Sequence, residues 1–257
     1  MKIQFESSTL CNARCSFCPH SKMTRPMGTM SDTLFHKIIK EGKEMGIRIY
    51  SPFLNGEPFV FPKIYEWLDY MLKEKVLVSL YTNAEYLDVD KLLTYPNIWK
   101  VNCSFNGATK ETYEKVMGLY NFEKTRDKIK DLINRAKFGV SVSMVVNEDN
   151  VHEKRLFREM WGDKAKICYF VNWGGDKHST FERKGIQVPC YHLLHDITIL
   201  WDGRVNLCCM DYDGKVILGD LNKQTLKEII GNIELLRIRH KVLDFNMPLC
   251  KDCNLNV

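Results

Sequence analysis

The sequence has no apolar run approaching the roughly 18 residues that a membrane-spanning helix needs. Met1 leads straight into Lys-Ile-Gln-Phe, with neither the basic nor the apolar segment of an export signal. No membrane partner is expected, and the chain is read as cytoplasmic. It also lacks a charge excess: 37 Lys and Arg face 32 Asp and Glu, and the net +5 is spread along the chain. That is too mild for a nucleic-acid or anionic-membrane binder. No repeat, low-complexity tract or long linker is present. What is present is 45% apolar and 11% aromatic residues in 257, enough to build a core and to argue against disorder. The length suits one large domain or two modest ones.

Ten cysteines are the unusual count. In a reducing compartment such residues serve as metal ligands or catalytic groups rather than disulfides. Cys11, Cys15 and Cys18 stand together near one end, and Cys190, Cys208, Cys209, Cys250 and Cys253 lie in the last quarter. Cys103 and Cys168 sit alone in apolar stretches, where a thiol packs as a small hydrophobe.

Between these groups strand and helix patterns alternate. Strands are expected at Lys2–Glu6, Ile47–Leu54, Val76–Tyr81, Ile98–Phe105, Val140–Val146 and Ile167–Val171. Helices are expected at Ser31–Met45 with Ser31 as N-cap, at Ile64–Lys73, from Asp88, at Lys124–Lys137 and at Glu153–Met160. Six βα units imply an α/β fold with a parallel sheet and right-handed crossovers, a partial (β/α)6 TIM-like barrel short of the closed eight. After Gly174-Gly175 the pattern changes. Lys177–Gln187 reads as a loop, Ile197–Trp201 and Val205–Cys209 as a hairpin on Asp202-Gly203, and Gln224–Ile230 as a helix. The expected division is 1–175 for the barrel and 176–257 for a small hairpin-plus-helix domain.

Cys11-Asn-Ala-Arg-Cys15-Ser-Phe17-Cys18 is C-x3-C-x2-C directly after the first strand. Three thiolates this close converge only from a loop wrapped around a metal centre. On a four-iron cluster they leave one iron open, the mark of a catalytic site. A structural zinc completed by His20 is the alternative on spacing alone.

This motif, with an aromatic before its third cysteine, resembles the signature of the radical S-adenosylmethionine (SAM) superfamily. The resemblance implies that the open iron chelates SAM and that its reductive cleavage yields methionine and a 5′-deoxyadenosyl radical. Asn55-Gly56-Glu57-Pro58 is similar to the family's Gly-Gly-Glu-Pro segment, which meets the SAM amino group, with Asn55 in place of the first glycine. Thr82-Asn83 ends strand three as in relatives. Ser104-Phe-Asn106-Gly stands where relatives carry Ser-x-Asp-Gly, so Asn106 keeps a hydrogen-bonding group without the charge. Ser143 matches a position that often reaches the SAM ribose or carboxylate. Phe17, Gly56, Glu57, Pro58, Asn83, Ser104, Asn106 and Ser143 are therefore the expected SAM contacts. Strand C-terminal ends are where parallel barrels place active sites.

The last quarter resembles the SPASM or shorter twitch extension of that family. Gly203 to Cys208 is its G-x4-C step, Cys250-Lys-Asp-Cys253 its terminal pair, and Gly219-Asp220-Leu221 before a helix with Glu228-Ile229 its linker. A zinc site is the alternative grammar of the same pair. Cys190, Cys208, Cys250 and Cys253 are expected to fill one auxiliary [4Fe–4S] cluster, and the G-x4-C register leaves Cys209 as packing or as a group supporting the ligands. The expected cofactors are SAM and two [4Fe–4S] clusters.

His192 and His195 flank Cys190 and read as metal ligands or, beside a filled four-cysteine set, as polar surface groups. Trp173-Gly174-Gly175 reads as the barrel mouth or packing, and Met23–Gly28 as a substrate-touching or solvated loop. The layout is similar to that of 2-deoxy-scyllo-inosamine dehydrogenases. By this resemblance the expected reaction is a two-electron oxidation of a small polar substrate, with the auxiliary cluster accepting the electron. A flavodoxin- or ferredoxin-type partner is the expected electron donor. The alternative is a peptide- or protein-modifying maturase, disfavoured by a cysteine motif that starts at residue 11 and leaves no leader-recognition domain before it. A zinc-stapled binding protein is the non-enzymatic reading.

Overall fold

Strand and helix alternate from Lys2 to Cys168 in the computed structural model, which describes residues 1–174, 176, 190–232, 248–251 and 253–254. The order is β1 (Lys2–Phe5), α1 (Asp32–Glu44), β2 (Ile49–Ser51), α2 (Ile64–Lys73), β3 (Leu77–Thr82), α3 (Val89–Leu93), β4 (Ile98–Ser104), α4 (Lys110–Met117), α5 (Phe122–Arg135), β5 (Gly139–Val145), α6 (Lys154–Trp161) and β6 (Ala165–Cys168). Ser31 caps α1 by accepting from Leu34 N, and Asp88 caps α3 by accepting from Lys91 N. Strands β1 to β6 lie parallel and in sequence order, the partial barrel that six βα units imply.

The later elements are α7 (Tyr191–His195), β7 (Asp196–Ile199), β8 (Arg204–Asn206), β9 (Ile217–Asp220), α8 (Leu226–Gly231) and α9 (Pro248–Lys251). The hairpin turns at Gly203, whose φ of +92° suits glycine. It does not stand apart from the barrel. Strand β7 pairs in parallel with β1, from Lys2 opposite Asp196 to Phe5 opposite Ile199, and β8 and β9 continue antiparallel. One nine-stranded sheet results, ordered β6-β5-β4-β3-β2-β1-β7-β8-β9. The expected loop Lys177–Gln187 and Gly175 lie outside the described residues.

Buried parallel strands usually read as continuous apolar runs. Here they alternate. Ile3, Phe5, Tyr50, Val78, Leu80, Val101, Cys103, Val142 and Met144 belong to the main apolar core. Between them Gln4, Ser51, Ser79, Asn102, Ser143 and Thr198 are buried polar residues. Successive side chains point to opposite faces, so the inner face of the barrel is polar. Cys103 is core, as its apolar surroundings suggest. Cys168 departs from that expectation: it is only half-buried and outside the core clusters, because β6 is an edge strand. Among the described residues no helix is long and apolar enough to cross a membrane.

Candidate active site

The segment after β1 is held from two sides. Arg14 N and Ser16 N donate to Met117 O and Val116 O at the end of α4, at 2.8 and 2.9 Å. Glu57 N donates to Leu10 O at 2.8 Å, and a Cβ on Gly56 would lie 2.2 Å from Ser8 O. Only glycine lets the segment after β2 rest on the one after β1. Cys11, Cys15 and Cys18 then line one cavity of about 210 Å³ together with Phe17, Asn55, Gly56, Glu57, Asn83, Ser104 and Asn106. Sequence reasoning did not single out Arg14, Ser21, Phe53, Leu54 or Met117, which also line it. Their types carry no signal of their own; the fold delivers them.

Two expected contacts sit elsewhere. Pro58 opens the short 3-10 turn Pro58–Val60 and is absent from the cavity lining. The Ser143 hydroxyl accepts from Asn102 Nδ2 at 2.8 Å on the inner face of the sheet, and it too is outside the lining. Asn83 is engaged as well: its Nδ2 donates to Asn12 Oδ1 at 2.8 Å, tying the end of β3 to the cysteine loop.

Glu57 is buried, and its carboxylate accepts from Thr82 Oγ1, Asn83 N and Phe59 N at 2.6, 2.7 and 3.2 Å. Burial outweighs these donors and pushes its pKa up to about 7 from an ordinary 4.5. The group thus binds the ends of β2 and β3 together. A raised carboxyl pKa means that the folded state holds the proton between those two values. Stability of the cluster-free protein should therefore fall by about 3 kcal/mol as pH rises through this window. Urea midpoints at pH 5 and pH 8 measure this slope, and Glu57→Gln should flatten it.

Burial likewise raises the Cys11 thiol to about 12 and raises Cys15. Neither is a thiolate by itself, so a positive metal centre must displace the protons. Among the described residues no three His, Cys, Asp or Glu side chains close on a single ion. The three thiols line one space at the strand ends, which suits a multi-iron body. His20 Nε2 lies 2.7 Å from Thr9 O and is held by the backbone. The cavity also has the polar groups a ligand needs. Asn55 Nδ2 and Asn106 Nδ2 are buried and without a hydrogen-bond partner among the described residues. The residues present fit a three-cysteine [4Fe–4S] cluster and SAM.

The second cysteine group gathers in its own apolar cluster. Cys190 and Cys250 are buried with Leu193, Leu207 and Leu249, and Cys208 packs against them. Cys253 N donates to Cys250 O at 3.3 Å; burial raises the Cys208 and Cys250 thiols, and the nearby Cys253 sulfur adds to both. Three thiols in this apolar cluster with Cys253 beside them fit a closed four-cysteine cluster. Cys209 is outside this apolar cluster, and its electrostatic neighbours are Lys2 and Asp196 at the start of β1 and β7 together with Cys190. His192 Nδ1 pairs with Asp196 Oδ2 at 2.8 Å, which gives this ring a carboxylate partner.

The Met23–Gly28 loop is tethered, although Thr24, Pro26 and Met27 are exposed to solvent. Asp213 accepts from Thr24 N and Oγ1 and from Arg25 N, and Trp201 Nε1 donates to Pro26 O. Arg25 Nη2 meets Glu6 Oε1 at 2.6 Å with both side chains buried. This loop clamps the first cysteine site to the later hairpin. Trp173 also lines the cavity; it holds φ +53° and donates from Nε1 to Phe17 O at 3.2 Å.

Residues 5–160 match the Radical SAM superfamily, and residues 190–254 match SPASM, an iron–sulfur cluster-binding domain. The mycofactocin maturase MftC of Mycobacterium tuberculosis is 28% identical over 151 residues, covering 58% of this chain and 38% of that protein. The subtilosin biosynthesis protein AlbA of Bacillus subtilis is 28% identical over 176 residues, covering 67% of this chain and 39% of its own. The matched part spans about two fifths of the length of these relatives. Among solved structures, BtrN in complex with AdoMet and 2-DOIA has a TM-score of 0.70 at 17% identity, covering 98% of this chain and 92% of that one. Streptococcus suis SuiB bound to precursor peptide SuiA has a TM-score of 0.76 at 12% identity, covering 99% and 69%. These two likenesses are of fold.

Proposed function

Since the chain belongs to the radical SAM superfamily, with an iron–sulfur cluster-binding domain after its barrel, we propose that it is a radical SAM oxidoreductase that abstracts a hydrogen atom from its substrate. When bound, the first cluster supplies the electron that cleaves SAM to methionine and a 5′-deoxyadenosyl radical, and the second accepts the electron left by dehydrogenation. The observation that carries this reading is the gathering of Cys11, Cys15 and Cys18 around one cavity at the strand ends.

Each residue has a role in that reading. Cys11, Cys15 and Cys18 hold the first cluster, and Cys190, Cys208, Cys250 and Cys253 the second. Gly56 lets backbone approach closely, and Ser104 and Asn106 offer polar groups to SAM. Phe17, Phe53, Leu54, Met117 and Trp173 form the apolar wall that excludes water. A flavodoxin- or ferredoxin-type protein supplies electrons.

A small polar substrate is supported by the near-complete length correspondence with BtrN, a 2-deoxy-scyllo-inosamine dehydrogenase. A peptide substrate has a separate support: the relatives found by sequence are a maturase and a bacteriocin biosynthesis protein, and SuiB binds a precursor peptide. Anaerobic reconstitution should load about eight irons, and dithionite with SAM should then release 5′-deoxyadenosine. Deuterated 2-deoxy-scyllo-inosamine and a deuterated peptide encoded beside the gene separate the two classes, because the true substrate passes its label to 5′-deoxyadenosine. A colourless zinc protein without SAM cleavage would end the proposal.

A further inference from the structure

Tyr120 is 74% exposed, the highest fraction for a large apolar side chain among the described residues, and Tyr86 is 60% exposed. Hydrogen bonds place both beside the first cysteine loop. Glu85 accepts from Asn12 Nδ2 through Oε2 and from Asn121 Nδ2 through Oε1. Glu85 N donates to Asn83 Oδ1 at 3.0 Å. In sequence Asn12 adjoins Cys11, Tyr86 adjoins Glu85 and Tyr120 adjoins Asn121. One carboxylate thus ties the end of β3 and the turn between α4 and α5 to the loop that carries Cys11, Cys15 and Cys18. Gly118 seats the same turn against Arg14: a Cβ there would lie 3.0 Å from Arg14 Cβ.

Positive charge prevails on this face, because the Glu85 carboxylate is taken up by two amides. Arg14 and Lys124 are exposed and Lys128 is half-buried, with Glu123 the exposed acid among them. None of the three cations makes an ion pair among the described residues. Arg14 Nη1 donates instead to Cys11 O and Ala13 O, and Lys128 Nζ to Glu85 O at 2.5 Å. Burial and the nearby Lys124 lower the Lys128 ammonium. Exposed tyrosines among unpaired cations, on a hydrogen-bonded and preorganised base, have the composition of a protein interface.

We propose that Tyr86, Tyr120 and Lys124 form the docking surface for an acidic electron-carrier protein of the flavodoxin type, which delivers the electron to the first cluster. Position and charge select this occupant. The three cysteines are half-buried while Arg14 and Ser16 between them are exposed, so the outer side of their loop meets solvent. A donor seated on the two tyrosines rests against that side. Its acidic surface matches the unpaired cations, and a flat flavin edge matches the phenol rings. One electron passes from the reduced flavin to the oxidised cluster, and no bond is made or broken. This rests on the reading of the first cluster as the SAM-cleaving one, although docking itself is read without turnover.

Surface plasmon resonance with a purified flavodoxin and the anaerobically reconstituted full chain measures the docking. Tyr86→Ala combined with Tyr120→Ala should raise the dissociation constant at least ~10-fold. Lys124→Glu should slow association roughly 3- to 10-fold at low salt, and far less once salt screens the charges. Iron content and Tm monitor folding of both variants. Release of 5′-deoxyadenosine driven by dithionite, a small reductant that needs no docking, should stay within about twofold of wild type. Release driven by reduced flavodoxin should fall in step with binding. Tyr191→Ala removes a comparably exposed tyrosine (65%) next to Cys190, and should leave flavodoxin binding unchanged. Flavodoxin binding within about twofold of wild type in both folded variants would overturn the proposal. So would absence of binding by the wild type, or a loss confined to Tyr191→Ala. A wild type that binds flavodoxin yet cleaves no SAM with dithionite would end the reading of the first cluster, and the binding series would still decide this one.

Discussion

Replacing Cys15 by alanine should reduce 5′-deoxyadenosine release to background and leave about four of the eight expected irons bound. Cys15 is the central thiol of its group: its sulfur senses both Cys11 and Cys18, and burial raises it. Two cysteines cannot hold a cluster that also needs one open iron, so the loss should be all or none. The retained half is as informative as the lost half. Cys190, Cys208 and Cys250 belong to an apolar cluster separate from the barrel core, and none of them lines the first cavity. Iron analysis with electron paramagnetic resonance checks this. Loss of all iron in the folded variant would mean that the two centres do not load independently.

Cys208→Ala and Cys209→Ala should differ sharply although the residues are adjacent. The first should lose about four irons and the second none. Cys208 packs in the apolar cluster with Cys190 and Cys250, and its sulfur senses Cys253. Cys209 is not a member of that cluster, although its sulfur senses Cys190 as well as Lys2 and Asp196. Equal losses would sink the assignment of Cys208. Loss in Cys209→Ala alone would move the ligand by one residue.

How much of this was legible in the sequence depended on whether local chemistry or tertiary contact decided each element. Ser31, Asp88 and the apolar spacing of α1 and α2 announce their helices, because caps and periodicity are local. The three clustered cysteines, Gly56 and Asn83 announce the site. Helix α4 was missed. It buries only Thr112, Tyr113, Val116 and Met117, and its start is fixed by Glu153, which accepts from Ala108 N and Thr109 Oγ1 some 45 residues away. Strand β9 was missed because Ile-Leu-Gly-Asp has no alternation and is a strand only by pairing with β8. Residue type alone also misleads about use. Ser143 and Asn102 satisfy each other, and the Glu57 carboxylate is taken up by three donors. The spare NH2 of Asn106 becomes visible only once Val145 N is seen to occupy the other end.

The place of β1 has a consequence for the order of events in the cell. Its two neighbours are β2, which follows soon after it, and β7, which begins at Asp196. On the ribosome the first six strands emerge with one flank of β1 unpaired, a sticky edge until the hairpin arrives. The contact that closes it has very high sequence separation and forms late. The loop that carries Cys11, Cys15 and Cys18 hangs from that same strand, and Arg25 behind it waits for Tyr212 and Asp213. The surroundings of the first cysteine site are thus complete only once residues 196–213 have folded against β1 and the Arg25 loop.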